Sequence, residues 1–380
     1  MRICRIAKRY PPLPGGMELH EQYLSWQQAA SGHRIDLFVL MGSNRGSRSG
    51  MQVYPAIAGA LWRRIQIESL LSLALIAHAL PRAIIGRLRG RYHVIHAHGD
   101  FIEALIARVL GWFFRIPAVL TVHAGLRSDG IYRRLAAPAF RSLDAVIAVG
   151  DNIAVQVEHL GVPKDRITVT HSGIWCERYR SSDERAAVRR ELDITDDEFV
   201  IVNLARLHAL KGQTYLIDAL STLSESMSAT LVVVGDGPER ETLEAQSNAC
   251  GARVVFVGDQ PHDQVPRYLA AADIFALTSV SLPGQQEGFN TSIKEAMAAG
   301  LPIVSTTTGS IPSYVIEPDN GVLVPERDGE AIATAIKRLA SSRDLRLTIG
   351  ATNKYQAQSY DWSVVSKEMD KAYERAGAVQ

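Results

Sequence analysis

Two carboxylates, Glu287 and Glu295, stand eight residues apart in the stretch QEGFNTSIKEAMAAGLPIVST, residues 286–306. Between them Asn290 is a good N-cap residue, because its side-chain oxygen can accept from a free amide of a first helical turn. Ile293, Ala296, Met297 and Ala299 follow at helical spacing. Gly300 ends the helix where a left-handed residue costs little, and Pro302-Ile-Val-Ser opens a buried strand. Free amides at a helix start favour an anion, and Gly288 would let a ligand approach the backbone. One carboxylate before the helix and one inside it, both able to face one crevice, suit a ligand with a phosphate and several hydroxyls, such as a nucleotide sugar. A surface helix with solvated glutamates would show the same spacing, so the pair gains meaning only from the rest of the chain.

Arg206 and Lys211 lie in the loop after the apolar run Phe199–Ala205, beside Gly212. Two fixed cations there suit a diphosphate, with Arg binding as a fork and Lys as a point charge. His98 and His123 each follow an apolar strand at its expected carboxyl end, which is where open α/β sheets hold ligands. A histidine in that place is also a common structural hydrogen-bonder. Gly15-Gly16, between a strand at Arg2–Ala7 and a helix at Met17–Ala30, resembles a phosphate-binding βα turn, without a GxGxxG pattern or a P-loop lysine.

These residues need a scaffold, and 380 residues suggest two domains. Apolar content of 47% with 21% charged is ordinary globular composition. Strands alternate with helices from Tyr92 and again from Phe199, which predicts two parallel sheets covered on both faces. Cys4, Cys176 and Cys250 form no CxxC pair, which points to a reducing compartment and away from a disulfide or zinc framework. The opening MRICRIAKRYPPLP lacks the apolar run of a signal peptide, so a cytoplasmic location is expected.

Charge is uneven. Residues 1–175 hold 21 Lys/Arg against 11 Asp/Glu, and the remainder 20 against 29. A basic half suggests an anionic partner. No nucleic-acid recognition motif accompanies it, so anionic lipid or a phosphorylated substrate fits better. The most apolar helical stretch, Trp62–Leu80, is interrupted by Glu68 and His78 and closed by Pro81, which makes it too short to span a membrane. Arg63 and Arg64 precede it, and Arg82, Arg87, Arg89 and Arg91 follow. Two readings stand: an interfacial helix on the inner face of an anionic membrane, and a buried helix with solvated flanks.

Taken together, Gly15-Gly16, Thr121-Val-His123, Ala205-Arg206-Leu with Lys211-Gly212, Val234-Gly-Asp-Gly-Pro238, and Glu287-Gly-Phe-Asn290 with Glu295 resemble family 4 of the retaining glycosyltransferases. The resemblance covers residues 1–376 and implies the GT-B architecture, an α/β fold of two Rossmann-like domains facing a central cleft. Residues 1–175 would be an acceptor-binding domain and residues 176–360 a nucleotide-sugar-binding domain. Residues 361–380 would form a helix crossing back to the first domain.

For the site, the resemblance implies that Arg206 and Lys211 hold the diphosphate of a nucleotide-diphospho-sugar donor, with UDP favoured over GDP. Glu295 would bind the ribose. Glu287, with Gly288, Phe289 and Asn290, would hold the sugar hydroxyls. Gly16 would let the first loop approach the phosphate or sugar, and His123 would contact the sugar or line the reaction centre; Gly15 and His98 are substrate-binding candidates from their positions after strands. The acceptor would be a glycan or lipid-linked intermediate in polysaccharide or glycolipid synthesis, transfer would retain anomeric configuration, and no metal or other cofactor is expected. The chain departs from the family where Ala124 follows His123, and where Ser310 and Ser313 stand in the loop Gly309–Ser313. A nucleotide-sugar 2-epimerase and a non-catalytic sugar-nucleotide-binding protein are the competing readings.

Overall fold

The structure, a computed structural model, describes residues 1–13, 15–43, 47–56, 68–88, 90–123, 125–126, 130–179, 184–224, 226–283, 287 and 290–378. The expectations placed on Arg63, Arg64, Arg89, Gly288 and Phe289 lie outside the described residues. The chain divides into two compact units, Met1–Gly173 with Trp362–Gln380, and Ile174–Asp361.

In the first unit the elements are β1 (Arg2–Arg9), α1 (Gly16–Ala30), β2 (Arg34–Met41), β3 (Met51–Pro55), α2 (Glu68–Leu88) and β4 (Val94–His98). They continue as α3 (Phe101–Phe114), β5 (Ala118–Val122), α4 (Gly130–Arg141), β6 (Ala145–Ala148), α5 (Asp151–His159) and β7 (Ile167–Val169). The strands pair in parallel in the order β3-β2-β1-β4-β5-β6-β7. Parallel strands covered on both faces read as unbroken apolar runs: Ile3, Cys4, Ile6 and Ala7 of β1 are all buried. Strand order reverses at β1, which lies between β2 and β4. At such a switch point successive crossovers leave in opposite directions, and a crevice opens outside the carboxyl ends.

The second unit repeats the logic. After α6 (Arg185–Glu191) come β8 (Phe199–Leu204), α7 (Gln213–Ser224), β9 (Ala229–Val234), α8 (Arg240–Cys250), β10 (Val254–Gly258), α9 (Val265–Ala271) and β11 (Ile274–Leu277). They are followed by α10 (Thr291–Ala299), β12 (Ile303–Thr306), β13 (Gly321–Val324), α11 (Gly329–Ala340) and α12 (Arg343–Ala357). The parallel order is β10-β9-β8-β11-β12-β13, so the reversal falls at β8. The last helix, α13 (Trp362–Arg375), packs against α1 of the first unit. Trp362, Met369, Ala372 and Tyr373 are buried there, and Gln28 Nε2 donates to Asp370 Oδ1 at 2.7 Å.

Two elements differ from the sequence expectation. β3 carries no strand signal in the sequence, because MQVYP is short and lies at the sheet edge beside β2. α2 does not stop at Pro81 but runs on to Leu88. Proline removes one backbone donor inside a helix, and burial of Leu71, Leu75, Ala79 and Ala83 along one side outweighs that loss. Among the described residues, no helix is long and apolar enough to cross a membrane.

Candidate functional site

The polar groups of the second unit gather at the β8 switch point. The loop after β8 ends in a short 3-10 turn, Ala209–Lys211, capped by Gly212 at φ 61°. A Cβ on Gly212 would lie 2.1 Å from the Thr278 carbonyl oxygen, so glycine is what allows this loop to close on the one after β11. The closure brings Lys211 to Glu287: Nζ donates to both carboxylate oxygens, at 2.9 and 2.8 Å. Ser279 Oγ donates to Glu287 Oε2 at 2.5 Å. A Cβ on Gly309 would in turn meet the Glu287 carbonyl oxygen at 2.0 Å, which ties the loop after β12 to the same residue.

Asn290 occupies the N-cap position of α10, but its side chain caps nothing. Its Oδ1 accepts instead from Lys211 Nζ at 3.4 Å. The expectation of a capping bond is corrected, and the reason is charge: an ammonium is a stronger donor than a backbone amide. Gly300 closes α10 in the left-handed region at φ 80°.

Both carboxylates are buried, Glu287 at 4% and Glu295 at 3% exposure. Glu295 Oε1 accepts from Tyr179 Oη at 2.9 Å and pairs with His262 Nε2 at 2.7 Å. Burial pulls the His262 pKa down, but the hydrogen bond and charge of Glu295 outweigh it and leave it raised. Arg206 is exposed, and among the described residues nothing pairs with its guanidinium.

At the β1 switch point of the first unit stands a cluster of imidazoles. His98 Nδ1 and His123 Nε2 are 2.9 Å apart and share one hydrogen. His20, from α1, packs edge-on against His123 with ring centroids 4.7 Å apart, and its Nδ1 is 2.6 Å from Ser172 Oγ. The Nε2 atoms of His20 and His98 are buried with no hydrogen-bond partner among the described residues. Burial holds all three pKa values below the ordinary imidazole value, that of His123 at about 3, so the cluster is neutral at pH 7. One nitrogen from each lies within 4.8 Å of the others, a donor set that could hold a transition-metal ion or receive hydroxyl groups.

Beside them is a cavity of about 210 Å³ lined by Lys8, Arg9, His98, Asp100, Glu103 and His123, among others. Lys8 pairs with Glu103 at 3.2 Å and Arg9 with Glu18 at 2.6 Å, so the cations of the lining are already compensated. Gly15 has φ 150°, and a Cβ on it would strike Glu18 Oε2 at 2.1 Å. The local demand for glycine thus comes from this backbone conformation, with the protein's own Glu18 carboxylate crowding the same space. A Cβ on Gly16 would meet nothing within 4 Å.

Sequence reasoning missed His20, Tyr179, His262 and Ser279. His20 had a usable signal, being one turn into the helix that follows Gly15-Gly16. Tyr179 ends a short 3-10 turn, Cys176–Tyr179, and His262 stands in a loop, where no spacing marks them.

Two parallel α/β units, each with a polar cluster at its switch point, are what the expected GT-B architecture requires. The sequence profile "Glycosyl transferases group 1" matches residues 184–356, and "Glycosyltransferase Family 4" matches residues 14–178. The chain belongs to this family.

An uncharacterised glycosyltransferase of Methanocaldococcus jannaschii is 28% identical over 99% of this chain and 98% of its own length. A D-inositol 3-phosphate glycosyltransferase of Corynebacterium urealyticum is 27% identical over 98% of this chain and 95% of its own. Among solved structures, Anabaena HepE in complex with UDP superposes with a TM-score of 0.80 at 22% identity, covering 98% of this chain and all of that one.

Proposed function

We propose that this glycosyltransferase moves a sugar from a nucleoside-diphosphate sugar, with UDP favoured, to a neutral hydroxyl acceptor, and that the anomeric configuration is retained. The observation that carries the reading is the Lys211 ammonium, fixed by Glu287 and Asn290 at the β8 switch point and preceded in the same loop by the exposed Arg206. Such cations stabilise the charge that grows on a departing diphosphate. UDP in the HepE structure supports the choice of nucleotide.

In the proposed step the bond between the anomeric carbon and the phosphate oxygen breaks, and the acceptor oxygen bonds to the same face of that carbon. The acceptor proton passes to the leaving phosphate. Lys211 and Arg206 hold the diphosphate, Glu295 the ribose, and Glu287 the sugar hydroxyls. No residue is assigned as a covalent nucleophile and no metal ion is required, so activity should persist in EDTA.

In the first unit, His123 and His98 line the acceptor side. The cavity beside them has compensated cations and neutral imidazoles, which favours uncharged hydroxyls over a phosphate in the attacking sugar. A glycan or lipid-linked glycan fits that chemistry.

The test is incubation with UDP-, GDP- and ADP-sugars and mixed acceptors, with the anomeric configuration of the product read by NMR. A retained-configuration product is expected. An epimerised donor would show a 2-epimerase, and binding without turnover a non-catalytic protein.

A further inference from the structure

α3 carries apolar side chains on its outer face as well as on its inner one. Ala104, Ala107, Leu110 and Phe114 are buried against the rest of the unit, yet Leu105, Val109, Trp112 and Phe113 stand in solvent, Trp112 at 72% exposure. α4 packs alongside and adds Ile131, 75% exposed, and Leu135. A surface helix ordinarily turns polar residues outward, as α5 does with Asp151, Asn152 and His159. Large exposed apolar patches mark contact surfaces.

Among the described residues, the exposed charges on these two helices and at their ends are mainly basic. Arg115, Arg133, Arg134 and Arg141 are exposed on these helices or at their ends. The one acid of α3, Glu103, is buried, and α4 contains none. Asp144, just beyond α4, pairs with Arg108 at 3.3 Å.

We propose that the exposed face of α3 and α4 docks the protein on an anionic lipid bilayer. Tryptophan and phenylalanine settle at headgroup depth, aliphatic side chains enter the acyl boundary, and arginines meet lipid phosphates. A second copy of the chain fits worse, because a self-complementary contact would set these arginines against their own equivalents. The face is distinct from the stretch Trp62–Leu80 and its flanking arginines, where the sequence suggested membrane contact. It stands independently of the transferase reading.

The test is co-sedimentation of the full chain with vesicles of phosphatidylglycerol and with vesicles of phosphatidylcholine, in the absence of sugar donor. Binding to the anionic vesicles that weakens as salt rises is expected. Arg133→Ala with Arg134→Ala should lower vesicle affinity about 25-fold, roughly fivefold for each arginine. Trp112→Ala with Phe113→Ala should lower it at least about tenfold. These side chains are exposed, so melting temperatures should stay at the wild-type value.

No binding to phosphatidylglycerol vesicles, or equal binding to both kinds, overturns the proposal. So does a concentration-dependent dimer that Trp112→Glu dissolves in a protein that ignores vesicles. Because the assay needs no donor, its failure would leave the transferase reading intact, and loss of donor binding would leave this surface untouched.

Discussion

The two sheets place polar side chains at the same topological position and give them opposite electrostatics. At the β8 switch point cationic groups and carboxylates are set against one another: Lys211 against Glu287, and His262 against Glu295, which raises the His262 pKa. At the β1 switch point His20, His98 and His123 are held neutral by burial. One unit is arranged to manage charge, the other to present hydrogen bonds without charge. Under the proposed reaction that is the division between a departing diphosphate and an attacking hydroxyl.

The sharpest way to break the comparison is Lys211→Ala. It should lower kcat by about 10²–10³-fold, the usual consequence of removing one donor from a developing oxyanion. Glu295→Ala should raise the KM for donor and leave the protein folded. Near-normal turnover in both variants would remove the second unit's cluster from the site.

Acid tests the neutral cluster. A histidine whose folded pKa is depressed contributes stability that is fully present above the ordinary imidazole pKa and is lost as pH falls below it. Denaturation from pH 7 towards pH 5 should therefore show stability falling by up to about 1.4 kcal/mol per pH unit for each such histidine. His98→Leu should flatten the slope, and a profile unchanged by that variant would mean the cluster is not buried and neutral. His262 has the reverse sign. Its raised pKa gives stability present below the ordinary value and lost as pH rises through the folded one, and Glu295→Gln should abolish that component.

Ligand stabilisation follows. UDP at 100 times its Kd should add about 2.7 kcal/mol in a thermal-shift experiment, and GDP or ADP at the same concentration should add less. Equal shifts from all three would leave UDP without support.

The smallest effect separates two adjacent glycines. Gly16→Ala should leave the melting temperature unchanged and alter only KM, because its added methyl faces open space. Gly15→Ala should destabilise the loop, since its methyl would meet Glu18. Equal melting temperatures would contradict the loop geometry.

The alternation of apolar runs and helices made the α/β class legible, because parallel strands buried on both faces need unbroken Val, Ile, Leu and Ala. β3 was not legible, since an edge strand of five residues carries little periodic signal. Nor was the continuation of α2 past Pro81, where tertiary packing overrides a local breaker. In the site, Glu287 and Lys211 could be proposed from type and position, but their direct pairing could not. It depends on Gly212 packing against Thr278, a contact between loops 66 residues apart. Asn290 stands at the N-cap as its type predicts, but the side-chain bond it makes was not legible for the same reason, because its donor, Lys211, comes from a distant part of the chain.

Helix α13 has a consequence for synthesis. It closes the first sheet's unit, yet it leaves the ribosome after everything from Ile174 to Asp361. Until Tyr373 has emerged, the buried Arg5 guanidinium lacks one of its acceptors, at 3.1 Å, and His96 lacks the hydroxyl that stands 2.7 Å from its Nδ1. The nascent second unit is continuous and can fold as it appears, since domains generally fold as units during translation. The chain's first strands therefore complete their packing last, and a released chain that ends at Asp361 would have an open, chaperone-accessible first unit and a complete second one.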